Sequence, residues 1–362
     1  MADPIRIDVA TPSRPYRVWV GAGLLRRLPE LLDDAGLGPR RFAVSTSPIW
    51  QHWGAAVREA LPDVEPILAP DGERFKTLAQ VSQIYEALLR AAADRHAAIL
   101  TVGGGVVGDM AGFAAATYLR GIGLAHVPTT LLAQVDASVG GKVGVNLAGG
   151  KNLVGAFYQP WVVVTDPDVL STLPRREYRA GLYEVVKYGV ACRRELFAST
   201  EQHLAAITRR DPAALAPMIA DCVRIKADIV TRDERESGLR EVLNFGHTAG
   251  HALEAVTRYQ RFLHGEAVAY GMMVAAELAV ARGVLDAAHQ SALGRLIAKL
   301  GPLPMVSDLA PAALVEQMRH DKKVRGGRIR FVLPTGIGTT ATVDDVSEEE
   351  MKRAFQRCGI GG

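Results

Sequence analysis

The run Ala97-Ala98-Ile99-Leu100-Thr101-Val102 leads without a break into Gly103-Gly104-Gly105-Val106-Val107-Gly108-Asp109. A short apolar run without polar alternation is the pattern of a strand buried on both faces, as in a parallel sheet covered by helices. The glycines then turn the chain, and residues from about 107 to 118 have the character of a helix. The same alternation surrounds this unit. Residues 16–20, 42–45, 66–69, 124–127 and 161–165 read as strands. Residues 24–35, a segment ending at 59, and 77–92 read as helices, the last with Thr77 as its N-cap. Strands that alternate with helices predict an α/β domain on a largely parallel sheet.

The pattern changes near residues 170–174. From there to about residue 317 helix follows helix, with a short strand at 328–333 and a last helix from Ser347. Pro212 stands near a helix start, where proline is tolerated. The chain is therefore expected to hold an α/β N-terminal domain, 1–175, and a mainly α-helical C-terminal domain, 176–362. A ligand site is expected in the cleft between them.

Composition excludes several classes. Of 362 residues 48% are apolar, which suits a sizeable core and not a disordered chain. Lys+Arg of 42 against Asp+Glu of 39 leaves +3, without the basic stripe of a nucleic-acid binder. Cys192, Cys222 and Cys358 are far apart and form no C-x-x-C, so they read as reduced thiols of a cytoplasmic protein. The N-terminus lacks a signal-peptide core, and the most apolar helix, 271–281, carries Glu277 and is too short to span a bilayer. No nucleic-acid or membrane partner is expected.

Gly103, Gly105 and Gly108 satisfy G-x-G-x-x-G. Glycines there let the backbone approach a pyrophosphate, and the helix N-terminus offers free N–H groups. The acidic residue that a dinucleotide fold places roughly 20 residues on is absent, since Pro128-Thr129-Thr130 follows the next strand. The stretch is either a dinucleotide site of different arrangement or a glycine-rich turn. Asp71-Gly72-Glu73-Arg74-Phe75-Lys76 is either a further nucleotide contact or an ordinary charged turn. A second glycine-rich stretch runs from Asp136 to Asn152, with lysines at 142 and 151. Backbone N–H groups and lysine charges together suit a phosphate. The alternative is a flexible surface loop, against which the interleaved valines and the packed-looking 154–158 speak.

The densest chemistry lies at 240–264, which holds Arg240, Asn244, His247, His251 and His264. The pattern around Leu243, Thr248, Ala252 and Val256 reads as one helix. His247 and His251, four apart, then share a face, as a metal or a proton-transfer pair requires. Such pairs also occur on ordinary helices. His264, opening another apolar helix, strengthens the metal reading, and Arg240 and Asn244 suggest an anionic, hydroxylated substrate nearby. A catalytic zinc on two histidines often takes a carboxylate third. Glu184 stands on a mostly apolar segment with Lys187 one turn on, which reads either as that ligand or as a helix salt bridge.

Taken in order, these motifs resemble the 3-dehydroquinate synthase family. They are Gly72-Glu73 with Lys76, Gly103 to Asp109, Tyr118-Leu119-Arg120-Gly121, Pro128-Thr129-Thr130 through Asp136, Ser138 and Lys142, Gly150-Lys151-Asn152, Glu184 with Lys187 and Gly189, Arg240 with Asn244, His247 and His251, His264-Gly265-Glu266-Ala267, and Asp321-Lys322-Lys323. The resemblance implies that the N-terminal α/β domain is a Rossmann-like dinucleotide-binding domain for NAD and the helical C-terminal domain binds metal and substrate, with a divalent metal, zinc or cobalt, and a homodimer. It implies Glu184, His247 and His264 as metal ligands and His251 as a proton-transfer residue rather than a ligand. Asp136, Lys142, Asn152, Lys187, Lys226, Arg240, Asn244 and one of Lys322 and Lys323, taken as Lys323, would hold substrate. Glu236 matches a further acid/base position, and Arg120 would reach the neighbouring subunit's phosphate pocket. Glu73, Lys76, Gly104, Gly105, Val106, Asp109, Thr129, Thr130, Lys142, Lys151, Thr172 and Leu173 would contact NAD. Where the family commonly has Asp or Asn for the adenosine ribose, this chain has Ser45-Thr46-Ser47, and the hydroxyl of Thr46 is the expected contact.

The implied reaction turns 3-deoxy-D-arabino-heptulosonate 7-phosphate into 3-dehydroquinate and phosphate. It proceeds by transient oxidation at C5, phosphate elimination, re-reduction and aldol closure. Three rivals stand beside it. One is another sugar-phosphate cyclase acting on a substrate without a carboxylate, a reading that Arg240 and Asn244 disfavour. The others are a metal- and NAD-dependent polyol dehydrogenase, which would not need the lysine–glycine stretch, and a non-catalytic nucleotide-binding protein.

Overall fold

The computed structural model describes residues 3–319 and 328–361. Its strands are β1 (Ile5–Val9), β2 (Tyr16–Val20), β3 (Arg41–Thr46), β4 (Glu65–Ala69), β5 (Ala98–Gly103), β6 (Gly123–Pro128), β7 (Lys142–Leu147), β8 (Gly150–Phe157), β9 (Val162–Thr165), β10 (Phe331–Gly336) and β11 (Thr339–Val343). Its helices are α1 (Leu28–Asp34), α2 (Ser47–Ala60), α3 (Leu78–Arg90), α4 (Gly105–Thr117), α5 (Arg175–Ala191), α6 (Arg194–Gln202), α7 (Leu204–Thr208), α8 (Pro212–Arg232), α9 (His247–Val256), α10 (His264–Ala281), α11 (Ala287–Leu300), α12 (Pro311–Arg319) and α13 (Glu348–Arg357). The described helices include none long and apolar enough to cross a membrane.

Two compact units divide the chain, one of Met1–Pro174 with Arg210–Arg235, the other of Arg175–Arg209 with Glu236–Gly362. The first is built on a seven-stranded sheet in the order β1-β2-β9-β6-β5-β3-β4. β1 pairs antiparallel with β2, and the remaining neighbours pair in parallel. β3, β5 and β9 are buried at every residue, the physical reason they show no regular alternation of apolar and polar positions. Successive residues of a strand face opposite sides. Phe42, Val44 and Ile99 therefore pack with Ile84, Leu88 and Met110, while Ala43, Leu100 and Val102 pack with Leu28, Leu32 and Val57.

Three features of this unit depart from the sequence reading. β1 has no counterpart among the expected strands. The lysine–glycine stretch, in which no strand was expected, is an antiparallel hairpin, β7 with β8. Helix α8, placed by the sequence reading in the C-terminal domain, belongs to this unit, where it packs against β1, β2 and the turn Ala133–Ala137. Its apolar face, with Leu215, Ile219, Cys222 and Val223 buried, is visible in the periodicity. Which core receives that face is not a local property.

The second unit is mainly helical. α10 lies at its centre, buried on most sides, with α5, α9, α11 and α13 against it. The strand expected at 328–333 runs instead from Phe331 to Gly336 and pairs with β11. Helix starts follow their capping residues. Thr77 Oγ1 accepts from the Gln80 N–H at 3.4 Å, Asp211 caps α8 just before Pro212, and Ser347 and Glu350 form a capping box on α13.

Candidate active site

The helix expected around Leu243, Thr248, Ala252 and Val256 is broken before His247, which separates His247 from Arg240 and Asn244. Leu239–Asn244 forms a separate 3-10 turn, Gly246 takes φ 79°, and α9 begins at His247. Gly246 is required twice over. Its backbone is left-handed, and a Cβ there would lie 2.8 Å from the Val268 carbonyl oxygen of α10. α10 in turn begins at His264, and the next residue sets its approach to α5. A Cβ on Gly265 would lie 1.9 Å from the Ala180 carbonyl oxygen, one turn before Glu184.

These constraints place two helix starts against one carboxylate. Glu184 is wholly buried; its Oε1 lies 3.8 Å from His247 Nε2 and 3.5 Å from His264 Nε2. One ligand atom from each of Glu184, His247 and His264 lies within 4.8 Å of the others. His247 Nδ1 is 3.1 Å from the Phe245 carbonyl and His264 Nδ1 is 3.2 Å from Glu254, so in both rings Nε2 is the nitrogen turned to Glu184. Two imidazoles and a carboxylate, each with its other polar atoms engaged, form the donor set of a catalytic zinc-type site. The residues present fit a divalent metal. Burial alone would lower the His264 imidazole, but the carboxylates of Glu254 and Glu184 outweigh it and hold it up at about 10. A bound cation would take that proton's place, because a ligating imidazole is neutral.

The remaining described candidate residues of this unit lie on α5, on α9 and in the segment just before α9. Lys187 is buried one turn after Glu184 with Nζ 2.5 Å from Glu184 Oε2. The His251 ring centroid stands 5.4 Å from that of His247 and 6.0 Å from that of His264. The turn carrying Arg240, itself buried, packs on α5. Asn244 donates to Glu236 at 3.2 Å, and Glu236 holds a left-handed backbone, φ 59°.

In the first unit, Gly104, Gly105 and Val106 form the entry to α4, whose N-cap is Gly104. Thr129 N–H donates to the Gly103 carbonyl, which ties the end of β6 to the end of β5. Lys76 Nζ lies 2.5 Å from Asp109 and 2.6 Å from Asn152 Oδ1. Burial pushes the Asp109 carboxyl up, against the pull of Lys76. Lys151 Nζ stands 3.9 Å from Glu73. Lys226 donates to both the carbonyl and the carboxylate of Asp136. Thr130 Oγ1 accepts from Ala133 N–H, Thr172 Oγ1 from Trp53 Nε1, and the Leu173 carbonyl from Arg210. Lys142 opens β7 and is exposed, and Arg120 sits in a tight turn at φ 69°. Thr46 is buried at the end of β3, and its Oγ1 has no hydrogen-bond partner among the described residues. An unsatisfied hydroxyl at that strand end, beside a helix N-terminus offering free N–H groups, fits a dinucleotide. Lys323 lies outside the described residues, as does Lys322.

Glu254 and Asn146 join these clusters without having been singled out in the sequence. Glu254 had a signal, since it falls seven residues after His247 on the same helical face. Asn146 had none, because its partners Glu73 and Lys76 come from a distant segment of the chain.

Comparison with known proteins bears on both units. The model described as 3-dehydroquinate synthase N-terminal matches residues 66–180, and the C-terminal model of the same family matches residues 181–324. The 3-dehydroquinate synthase of Gloeobacter violaceus is 47% identical over 356 residues, covering 97% of this chain and 98% of its own length. Among solved structures, 2-deoxy-scyllo-inosose synthase complexed with carbaglucose-6-phosphate, NAD+ and Co2+ superposes with a TM-score of 0.88 at 29% identity, covering 98% of this chain and 99% of its own. The 2-epi-5-epi-valiolone synthase of Streptomyces hygroscopicus, with NAD+ and Zn2+ bound, gives 0.87 at 30% identity, covering 95% and 96%. Two consecutive family models and an end-to-end relative agree with the order of motifs, and the chain belongs to the 3-dehydroquinate synthase family.

Proposed function

We propose that this chain is a 3-dehydroquinate synthase that converts 3-deoxy-D-arabino-heptulosonate 7-phosphate into 3-dehydroquinate and phosphate, a step of the shikimate pathway to aromatic amino acids. The observation that carries the reading is the convergence of Glu184, His247 and His264 in a chain 47% identical to a 3-dehydroquinate synthase. The cyclases of similar fold that act on other substrates reach only 29–30%.

When bound, NAD would exchange a hydride with substrate C5, and a zinc or cobalt ion held by Glu184, His247 and His264 would polarise the C5 oxygen. His251, beside that set, takes the proton of the C5 hydroxyl, a task suited to an imidazole near neutral pH. Arg240 reads the carboxylate through its two-pronged guanidinium. Asp136, Lys142, Asn152, Lys187, Lys226, Asn244 and Lys323 hold the substrate's oxygens, and Glu236 serves as a further acid/base group. The departing phosphate acts as base in its own elimination. Glu73, Lys76, Asp109, Thr46, Thr129, Thr130, Lys151, Thr172, Leu173 and the 104–106 backbone bind NAD. The enzyme works as a cytoplasmic homodimer in which Arg120 reaches the second copy's phosphate pocket.

The test is purified protein with the heptulosonate phosphate, catalytic NAD and zinc, following phosphate and dehydroquinate together. Equal release of both, with no accumulation of NADH, is expected. Stoichiometric NADH would point to a polyol dehydrogenase, and turnover of glucose 6-phosphate instead would point to another cyclase.

A further inference from the structure

The β7–β8 hairpin is irregular at one place. Val145 pairs with Val154 and Leu147 with Gly150, so Asn146 alone faces three residues, 151–153, on the other strand. The middle one, Asn152, is left-handed at φ 53°. Such a bulge takes backbone groups out of the ladder, and each N–H there needs another acceptor. Asn146 supplies it: Asn152 N–H donates to Asn146 Oδ1 at 2.9 Å. The other half of the same amide turns the opposite way. Asn146 Nδ2 donates to Glu73 Oε1 at 2.8 Å and lies 3.5 Å from the Glu73 carbonyl, while Asn146 N–H donates to the Lys76 carbonyl at 2.8 Å. Glu73 accepts only and a backbone N–H donates only, so the position demands one side chain that does both.

We infer that Asn146 is a positioning residue that sets the cofactor-side Glu73 and the substrate-side Asn152 in one fixed arrangement, so that the two sites are coupled through a single amide. The inference rests on the roles proposed above for Glu73 and Asn152. Lys76 closes the circuit from the other side, since the same ammonium that meets Asp109 also meets Asn152 Oδ1. The left-handed backbone of Asn152 is thus held at its N–H by Asn146 and at its side chain by Lys76. Asparagine visits the left-handed region more easily than most residues, so these two holds are what fix Asn152 there.

Two variants separate the halves of the amide. Asn146→Ala removes both, and Asn146→Asp keeps the acceptor for Asn152 but sets a second carboxylate against Glu73. With hydrogen bonds to charged groups as guide, Asn146→Asp should weaken NAD binding by about tenfold or more while leaving the KM for the heptulosonate phosphate within about threefold. Its NAD affinity should recover as pH falls and one of the two carboxylates takes a proton. Asn146→Ala should raise both the NAD Kd and the substrate KM by about tenfold. Amide hydrogen exchange at Asn152, read without any ligand, should stay slow in Asn146→Asp and become fast in Asn146→Ala. Circular dichroism confirms that each variant is folded. Unchanged Asn152 exchange in Asn146→Ala, or an NAD Kd in Asn146→Asp equal to wild type, overturns the inference. A wild-type protein that binds NAD but releases no phosphate overturns the functional reading instead, and the exchange and NAD measurements still decide the role of Asn146.

Discussion

His264 Nδ1 lies 3.2 Å from the Glu254 carboxylate, and the same ring presents Nε2 to Glu184 at 3.5 Å. The two contacts use opposite edges of one imidazole. Glu254, buried one turn after His251, therefore selects which nitrogen of His264 faces the metal-type cluster. Glu254→Ala should weaken zinc binding by about 10- to 100-fold, measured by competition with a chromophoric chelator. Zinc affinity equal to wild type would show that His264 is oriented by its helix alone.

Gly265 controls how near α10 comes to α5. Gly265→Ala places a methyl group 1.9 Å from the Ala180 carbonyl oxygen, so one of the two helices must move. Overpacking of this kind costs about 1–3 kcal/mol. The movement opens the gap between Glu184 and His264, so zinc affinity and unfolding midpoint should fall together. A variant that loses stability but keeps full zinc affinity would mean the cluster adapts to the shift.

Arg240 cannot owe its placement to sharing a helix with His247, because Gly246 ends that continuity. The substrate prediction still follows from its chemistry. Arg240→Lys keeps the charge but loses the two-pronged contact proposed for the substrate carboxylate, worth roughly 1.5–3 kcal/mol, or about ten- to a hundredfold in kcat/KM. That loss should appear for the carboxylated heptulosonate phosphate and be small for a carboxylate-free heptulose phosphate. Equal losses for the two substrates would assign Arg240 to the fold or to the phosphate.

His126 lies buried on β6, its Nδ1 2.7 Å from Thr101 Oγ1, and burial lowers its imidazole to about 4. Its folded-state value is depressed, so the unfolded chain binds the proton first. Stability from this residue is therefore whole above about pH 6.5 and falls as pH drops from there toward 4, by roughly 3 kcal/mol in all. His126→Gln, which keeps a partner for Thr101 without a titrating ring, should flatten the decline of the urea midpoint between pH 7 and 4.5. An identical pH profile in the variant would place the acid sensitivity in other groups.

Much of this protein is written in its linear order. The buried strands show because a segment covered on both faces has no polar side, and the helical half shows because proline, glycine and capping residues mark its segments. Residue chemistry shows that histidines suited to a metal lie at 247, 251 and 264, but the choice of Glu184, His247 and His264 among the candidates came from the family resemblance. Other features depend on which distant surfaces meet. The separation of Arg240 from the helix of His247 follows from the left-handed Gly246 fitting under Val268, a contact no local pattern encodes. The lysine–glycine stretch gave no strand signal because its glycines hide strand alternation; Gly144 and Gly155 lie opposite each other in the ladder, where each backbone leaves no room for a Cβ on the other. Helix α8 displays an apolar face but not the core that receives it. Glu254 and Asn146 acquire their partners only when separate segments are brought together. Residue chemistry and periodicity are local and survive in sequence, whereas the approach of one backbone to another is decided only by packing.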